Sequence, residues 1–393
     1  MRAMRPVWML SATQALCMSG SFLFFLLGGI IGSHLTPTPA LATLPVSVMI
    51  AGLAASVVPA GLLIHRFGRR AVFVGSALQA AGGCILAGYA ISTQRFWLFC
   101  AAAFLLGSNN AVVMQYRFAA TEYVEAGHAS RAIAVVMCGA LAAAWLGPEL
   151  AVRTADLVPS ARHAGSFYSA TGLYLVAAVL LSRISAAAPA GAADLAPPRP
   201  LREIAAQPVF QVAVLGALAS YTVMSFIMTA TPISMHIVDG HDEVATARVI
   251  QVHLLGMYLP SLGSGWIIAK FGDRPVIVAG TLLMTVCVAI AVYAGHGVAH
   301  YGWALGVLGL GWNLLFIAAT TLLTKTYTRG ERVQAQTLND FLVFGAQATA
   351  SLLAGVAVTT IGWERLNLAT LPLLAAVLLA SLAISRRPVA ATG

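Results

Sequence analysis

Charged residues are rare in this sequence. Asp, Glu, Lys and Arg make up 9% of 393 residues, while 59% are hydrophobic; a soluble domain carries about 25% charged residues. The shortage excludes a water-soluble fold, because a chain of this length has too little polar surface to cover its apolar groups. Cysteine is scarce too. Cys17, Cys84, Cys100, Cys138 and Cys287 all lie within apolar runs and form no C-x-x-C pair. That excludes a disulfide framework or a thiolate metal site, and it reads all five as small core residues. Catalytic signatures are missing as well: there is no H-E-x-x-H, no Walker loop and no G-x-S-x-G. Of nine histidines, His128, His163, His236, His241, His296 and His300 are dispersed through loops and helix ends. The expectation is no enzyme activity, no metal, no cofactor and no bound nucleotide as fuel.

What the sequence has in abundance is long apolar runs. In lipid every backbone polar group needs an internal partner, so only helices and closed barrels span a membrane. Barrel strands alternate over about ten residues. These runs are longer and do not alternate, so helices are predicted. At about 20 residues per span, twelve fit: 7–31, 41–64, 71–92, 96–118, 132–152, 166–186, 208–232, 247–269, 275–294, 301–324, 334–360 and 366–385. Arg2, Arg5 and Ala40-Leu41-Ala42 imitate a signal peptide. The apolar stretch exceeds the roughly 7–15 residues of a signal core, however, and reads as a retained first span. With the N-terminus inside, 17 of the 22 Lys and Arg residues fall on the inner side. This positive-inside bias predicts a bacterial-type inner membrane with both termini cytoplasmic. It also accounts for the formal charge of +9 without any nucleic-acid partner. An Ala-, Pro- and Gly-rich stretch follows helix 6. It divides the chain into a six-helix bundle at 1–187, a cytoplasmic linker at 188–207 and a second six-helix bundle at 208–393.

The two bundles repeat one another. Shifting the first by 204 positions matches Gly61, Ile64, Phe67, Gly68 and Arg70 to Gly265, Ile268, Phe271, Gly272 and Arg274. The same offset pairs Gly52 with Gly256, Tyr89 with Tyr293, Gly107 with Gly311, Asn109 with Asn313 and Tyr123 with Tyr327. Parallel six-helix repeats are a transporter architecture. The run Gly61-Leu62-Leu63-Ile64-His65-Arg66-Phe67-Gly68-Arg69-Arg70 also resembles the signature loop of the major facilitator superfamily, roughly G-x-x-x-D-R-x-G-R-R. A second copy lies between helices 8 and 9.

The resemblance implies an all-α membrane protein of twelve transmembrane helices in two pseudo-symmetric six-helix bundles. Such a protein is a secondary transporter that moves a small-molecule solute by alternating access; a monomer in the lipid bilayer is expected. The resemblance also implies that Gly61, His65, Arg66, Gly68, Arg69, Arg70, Gly265, Lys270, Gly272 and Arg274 belong to gating loops, with Glu122 the partner of Arg69 or Arg70. His65 stands where the family has an acid, so a pH-sensitive gate and a plain solvated histidine both fit. Ala143–Val152 matches the glycine-rich helix 5 motif of proton exchangers only at Gly147 and Pro148. Gln115–Ala120, Met228–Pro232, Gly311–Phe316 and Gln336–Phe341 resemble a group of bacterial facilitators that includes proposed riboflavin carriers.

Polar side chains at mid-membrane depth are costly, which makes them default site candidates. The family architecture sends helices 1, 4, 7 and 10 to a central cavity. Asn109 and Asn110 lie midway along helix 4, and Trp312 and Asn313 midway along helix 10; Gln14 and Tyr221 fall at useful depths on helices 1 and 7. Amides suit a neutral, heteroatom-rich solute, and an indole stacks on a planar ring. The competing reading is that the amides bond helix to helix. Glu149, His253 and Asp340 are candidates for coupling to protons. Against that stand an ion pair of Glu149 with Arg153 and one of Asp340 with the basic loops. Arg117 either holds an anionic solute group or anchors helix 4 at the headgroups. The sequence thus predicts a carrier of a small organic solute, with a planar nutrient such as riboflavin as one option. Proton-coupled efflux is the alternative, and a transporter-shaped receptor without flux is the rival from another class.

Overall fold

The structure is a computed structural model that describes residues 4–36, 38–125, 129–184, 199–328 and 330–383. Most of the expected linker, together with Arg2, His128, Arg329, Arg386 and Arg387, lies outside the described residues. Among those described, eleven helices are long and apolar enough to cross a membrane. The pair Glu243–Tyr258 and Ser261–Phe271, bent by 41°, makes a twelfth span. The helices are 1, Arg5–Leu35; 2, Leu44–Phe67; 3, Arg69–Ser92; and 4, Phe96–Val113 continued as Tyr116–Thr121. Helix 5 is Ala129–Arg153, helix 6 Ala164–Ser182, and helix 7 Pro208–Pro232 running into a π turn at Ile233–Val238. Helix 8 is the bent pair, helix 9 Asp273–Tyr293, helix 10 Val298–Thr324 and helix 11 Arg332–Thr360. Helix 12 is Gly362–Leu368 followed by Leu371–Ala383.

Local chemistry sets these boundaries. Pro6, Pro45 and Pro208 open helices 1, 2 and 7 at positions where a missing N–H costs nothing. Asp242 caps helix 8, its Oδ1 accepting from the Ala245 N–H at 2.6 Å. Gly68 and Gly272 adopt φ of 81° and 85°. Each lets one helix turn into the next through a single residue, as the repeated loop requires. Pro260 lacks an N–H and breaks helix 8. The break of helix 4 at Gln115 was not anticipated from the sequence. Cys138 is exposed on the bundle surface rather than in the core. It lies on an apolar helix whose outer face meets lipid, so an apolar environment did not require burial.

The two halves share one packing plan. Helix 1 packs on 5, 2 on 4 and 3 on 4 in the first half; helix 7 packs on 11, 8 on 10 and 9 on 10 in the second. Two seams join the halves, helix 2 against 11 and helix 5 against 8, and the repeat interconverts them. Backbones approach closely where glycine removes the side chain, as small residues allow in membrane bundles. A Cβ on Gly52 would stand 2.5 Å from the Phe104 carbonyl oxygen, and one on Gly256 would stand 2.7 Å from that of Gly306.

Candidate functional site

Between the halves lies a cavity of about 210 Å³, lined by aromatic, thioether and polar side chains from both. The second half supplies an aromatic wall. Trp312 and Phe316, one turn apart on helix 10, stack with centroids 5.1 Å apart and planes at 16°. Tyr221 of helix 7 meets both rings edge-on, at 5.2 and 5.0 Å, and Phe344 of helix 11 meets Tyr221 at 5.7 Å. The first half supplies Gln14, Ser21, Asn110 and Arg117, with Met18, Met49, Met114, Met137 and the rings of Phe22 and Phe25; the second half adds Met224, Met228, Met257, Ser225, Thr229 and Gln347. Ser21 Oγ donates to Asn110 Oδ1 at 2.6 Å, which fixes the amide with its nitrogen free. Trp312 Nε1 and Arg117 Nε are enclosed without a hydrogen-bond partner.

Four of the six residues expected at the cavity, Gln14, Asn110, Tyr221 and Trp312, line it. Asn109 and Asn313 do not, and this corrects the sequence expectation. Asn109 Nδ2 donates to Ser76 Oγ of helix 3 at 2.8 Å. Asn313 Nδ2 donates to the Met257 carbonyl and to Ser261 Oγ, both at 2.6 Å, across the break in helix 8. Neighbouring residues on a helix point about 100° apart. With Asn110 and Trp312 facing the cavity, the adjacent asparagines must face the packing. The sequence reading passed over Ser21, Phe316, Phe344 and Gln347. The signal available was helical phase, since Phe316 follows Trp312 by one turn.

The three coupling candidates occupy different places. Glu149 pairs with Arg153 at 2.7 Å and accepts from Gln251 Nε2 at 3.4 Å, in the seam between helices 5 and 8. His253 is fully buried inside the second half, with Nδ1 on the Leu305 carbonyl at 2.9 Å. Neither lines the cavity. Asp340 is half-buried and receives Asn339 Nδ2 at 3.1 Å. It precedes the cavity residues Phe344 and Gln347 on one helical stripe.

The repeated loops lie at the face that carries Arg5 and Ala383, here the terminal face. Arg69 binds Glu122 bidentately, at 3.0 and 2.5 Å. The matching loop of the second half reverses the polarity, with Asp273 paired to Lys325. Arg274 donates to the carbonyls of Ser381 and Leu382. Lys270 sits over Trp266 at 4.9 Å and Arg66 over Phe67 at 5.2 Å. Gly61, His65 and Arg70 are exposed, and Gly265 has open space where a side chain would stand. Also at this face, Arg199 grips Glu331 at 2.6 Å. That bond holds the Glu331 carboxyl well below the usual range and raises the guanidinium.

At the opposite face, polar contacts cross both seams. Thr43 Oγ1 donates to the Leu352 carbonyl and accepts from the Gly355 N–H, both at 3.2 Å. Glu243 of helix 8 receives Arg162 at 3.0 Å and His163 at 3.3 Å from the first half. These bonds tie the two halves together at this face. Nearby, His296 bridges Glu364 at 2.6 Å and Asp239 at 3.0 Å. Those two bonds raise its imidazolium above the ordinary range.

Comparison with known proteins agrees with this geometry. A profile described as Major Facilitator Superfamily matches residues 9–259. The riboflavin transporter RfnT of Brucella anthropi is 39% identical over 380 residues, 96% of this chain and 94% of that protein. The uncharacterized MFS-type transporter YdeG of Bacillus subtilis is 29% identical over 93% of this chain and 88% of its own. Among solved structures, a bacterial homologue of the human lysosomal transporter Spinster, inward-facing and occupied, superposes with a TM-score of 0.75. It has 14% identity and covers 96% of this chain and 95% of that one. Its inward-facing, unoccupied form gives 0.74 at 15% identity, covering 97% of each chain; these likenesses speak for the fold. The profile match and the near full-length identity to RfnT show that this chain belongs to the major facilitator superfamily and is a transporter of that family.

Proposed function

We propose that the cavity carries a neutral, planar, heteroaromatic nutrient of the riboflavin type across a bacterial inner membrane. The observation that carries this reading is the aromatic cluster beside cavity amides. A fused ring stacks on Trp312 and meets Tyr221 edge-on, and such aromatic pairs add about 0.5–1.5 kcal/mol beyond area burial. Its heteroatom edge meets the Asn110 amide nitrogen and Gln14. The 39% identity to a protein named a riboflavin transporter supports the same solute class. Residues 1–187 and 208–393 are the two bodies that rock about the site, joined by the linker 188–207. The terminal face is cytoplasmic in this reading, so the face bonded by Thr43 and Glu243 is the outer one, and the chain works as a monomer. The loops with Arg69–Glu122 and Asp273–Lys325 hold helices 3 and 9 at the inner gate.

Flux of riboflavin into proteoliposomes tests this. Saturable uptake with counterflow is expected. Binding without flux would leave a receptor, and absence of both would remove riboflavin as the solute. Proton-coupled export keeps one observation in its favour, Asp340 on the cavity stripe. It requires Asp340→Asn to abolish exchange driven by a pH gradient.

A further inference from the structure

We infer that Arg117 is a specificity residue of the cavity, taking a carbonyl oxygen on the edge of the solute ring. The inference rests on the planar solute proposed above and adds the group that the cavity selects. A guanidinium only donates. Arg117 lines the cavity, and its Nε is enclosed without an acceptor among the described residues. The guanidinium rests on the Phe118 ring at 4.8 Å, a contact that orients it without using an N–H. Trp312 Nε1 is equally unmatched, and Asn110 has its oxygen taken by Ser21, leaving its nitrogen to donate. Arg117, Trp312 and Asn110 line one cavity, and each carries a donor with no acceptor among the described residues, so a complementary solute brings acceptors. Asn110 and Arg117 stand on either side of the break at Gln115, and both line the cavity.

Arg332 lies 5.7 Å over the same Phe118 ring, so the start of helix 11 reaches the end of helix 4. An arginine that only anchors a helix sends its head into the headgroup water. Arg117 instead lines the cavity, with an enclosed Nε that has no acceptor among the described residues.

Two ligands of like shape separate recognition from structure. Lumichrome has three fused rings and two carbonyl groups; phenazine has three fused rings and none. Their binding to the purified full-length protein is read by fluorescence quenching, with thermal unfolding as the folding check. The wild type is expected to favour lumichrome by about 10-fold or more, because a site built to bond a polar group rejects the analogue lacking it. Arg117→Met should weaken lumichrome about 10-fold and leave phenazine within about two-fold, a ligand-by-mutation cycle that isolates the contact. Arg117→Lys, which keeps the charge without the fork, should fall between. Equal weakening of both ligands, or no change in either, overturns the assignment. If the wild type bound neither lumichrome nor riboflavin, the proposed solute would fail and this inference with it.

Discussion

The two halves of the molecule carry asparagine at the same repeat position, yet the two side chains go to different neighbours. Asn109 bonds to helix 3, while Asn313 bonds to helix 8. The difference is local. Helix 8 is broken beside Pro260 and presents the Met257 carbonyl and Ser261. Helix 2 runs unbroken past the matching place, with its proline at 59. The cavity residues show the complementary rule: Asn110 matches Leu314, Arg117 matches Thr321, and Trp312 matches Ser108. Ser21 recurs as Ser225 and both line the cavity, whereas Asn110, Arg117 and Trp312 have no counterpart of like chemistry. These unmatched positions give a duplicated bundle an unsymmetrical site.

The strongest test of the shared scaffold is at Gly107 and its repeat partner Gly311. A Cβ on Gly107 would stand 1.8 Å from the Met49 carbonyl oxygen; on Gly311 the Met284 side chain comes at 2.8 Å and the Gly280 carbonyl oxygen and Met284 nitrogen at 2.9 Å. Backbone blocks both sites, so Gly107→Ala should cost about 3 kcal/mol and Gly311→Ala about 2, seen as drops in unfolding temperature in detergent. An unchanged unfolding temperature in either variant would mean that the close approach is absent there. The wall comparison comes next. Trp312→Ala should weaken solute binding by about 10- to 100-fold through lost stacking and burial. Ser108→Ala, its counterpart, should stay within about two-fold, and a titration of binding decides.

The two faces titrate in opposite senses. Glu331 is held below the usual carboxylate range by Arg199. Its contribution is therefore present above the ordinary value of about 4.3 and is lost as pH falls toward the native value. His296 is raised by Glu364 and Asp239. Its contribution is full below about 6.5 and is lost as pH climbs through the raised native value. Unfolding temperatures across pH should lose the acid-side slope in Glu331→Gln, a change worth about 1–2 kcal/mol, and the alkaline-side slope in His296→Gln, worth about 0.5 kcal/mol because solvent screens the exposed imidazole. The smallest effect is expected at the reversed ion pairs. Breaking Arg69–Glu122 with Arg69→Glu should cost about 0.5 kcal/mol, because both side chains are about a quarter exposed. The double swap with Glu122→Arg should restore it. Failure of that rescue would make the polarity of each half specific rather than interchangeable.

Much of the fold was legible before any coordinates. Twelve apolar runs, the glycine turns at Gly68 and Gly272 and the 204-residue offset all reappear, with helix ends moved by up to four residues. The partner of Arg69 was readable because a basic loop near a helix-end carboxylate leaves few choices. The site was only half legible. Depth identified the right turns of helices 4 and 10, but not which neighbour faced inward: Asn110 rather than Asn109, Trp312 rather than Asn313. Glu149 and His253 were placed at a correct depth and turned out to serve a seam and a packing contact.

By itself the sequence determined that this chain lies in lipid, how many times it crosses, where it turns and that it is duplicated, because span length and unpaired backbone groups allow no other solution. Only the tertiary structure decided which side of each helix meets the cavity. A membrane helix is apolar all round, so no pattern along it separates the lipid-facing side from the packed one, and one residue of phase turns a side chain by about 100°.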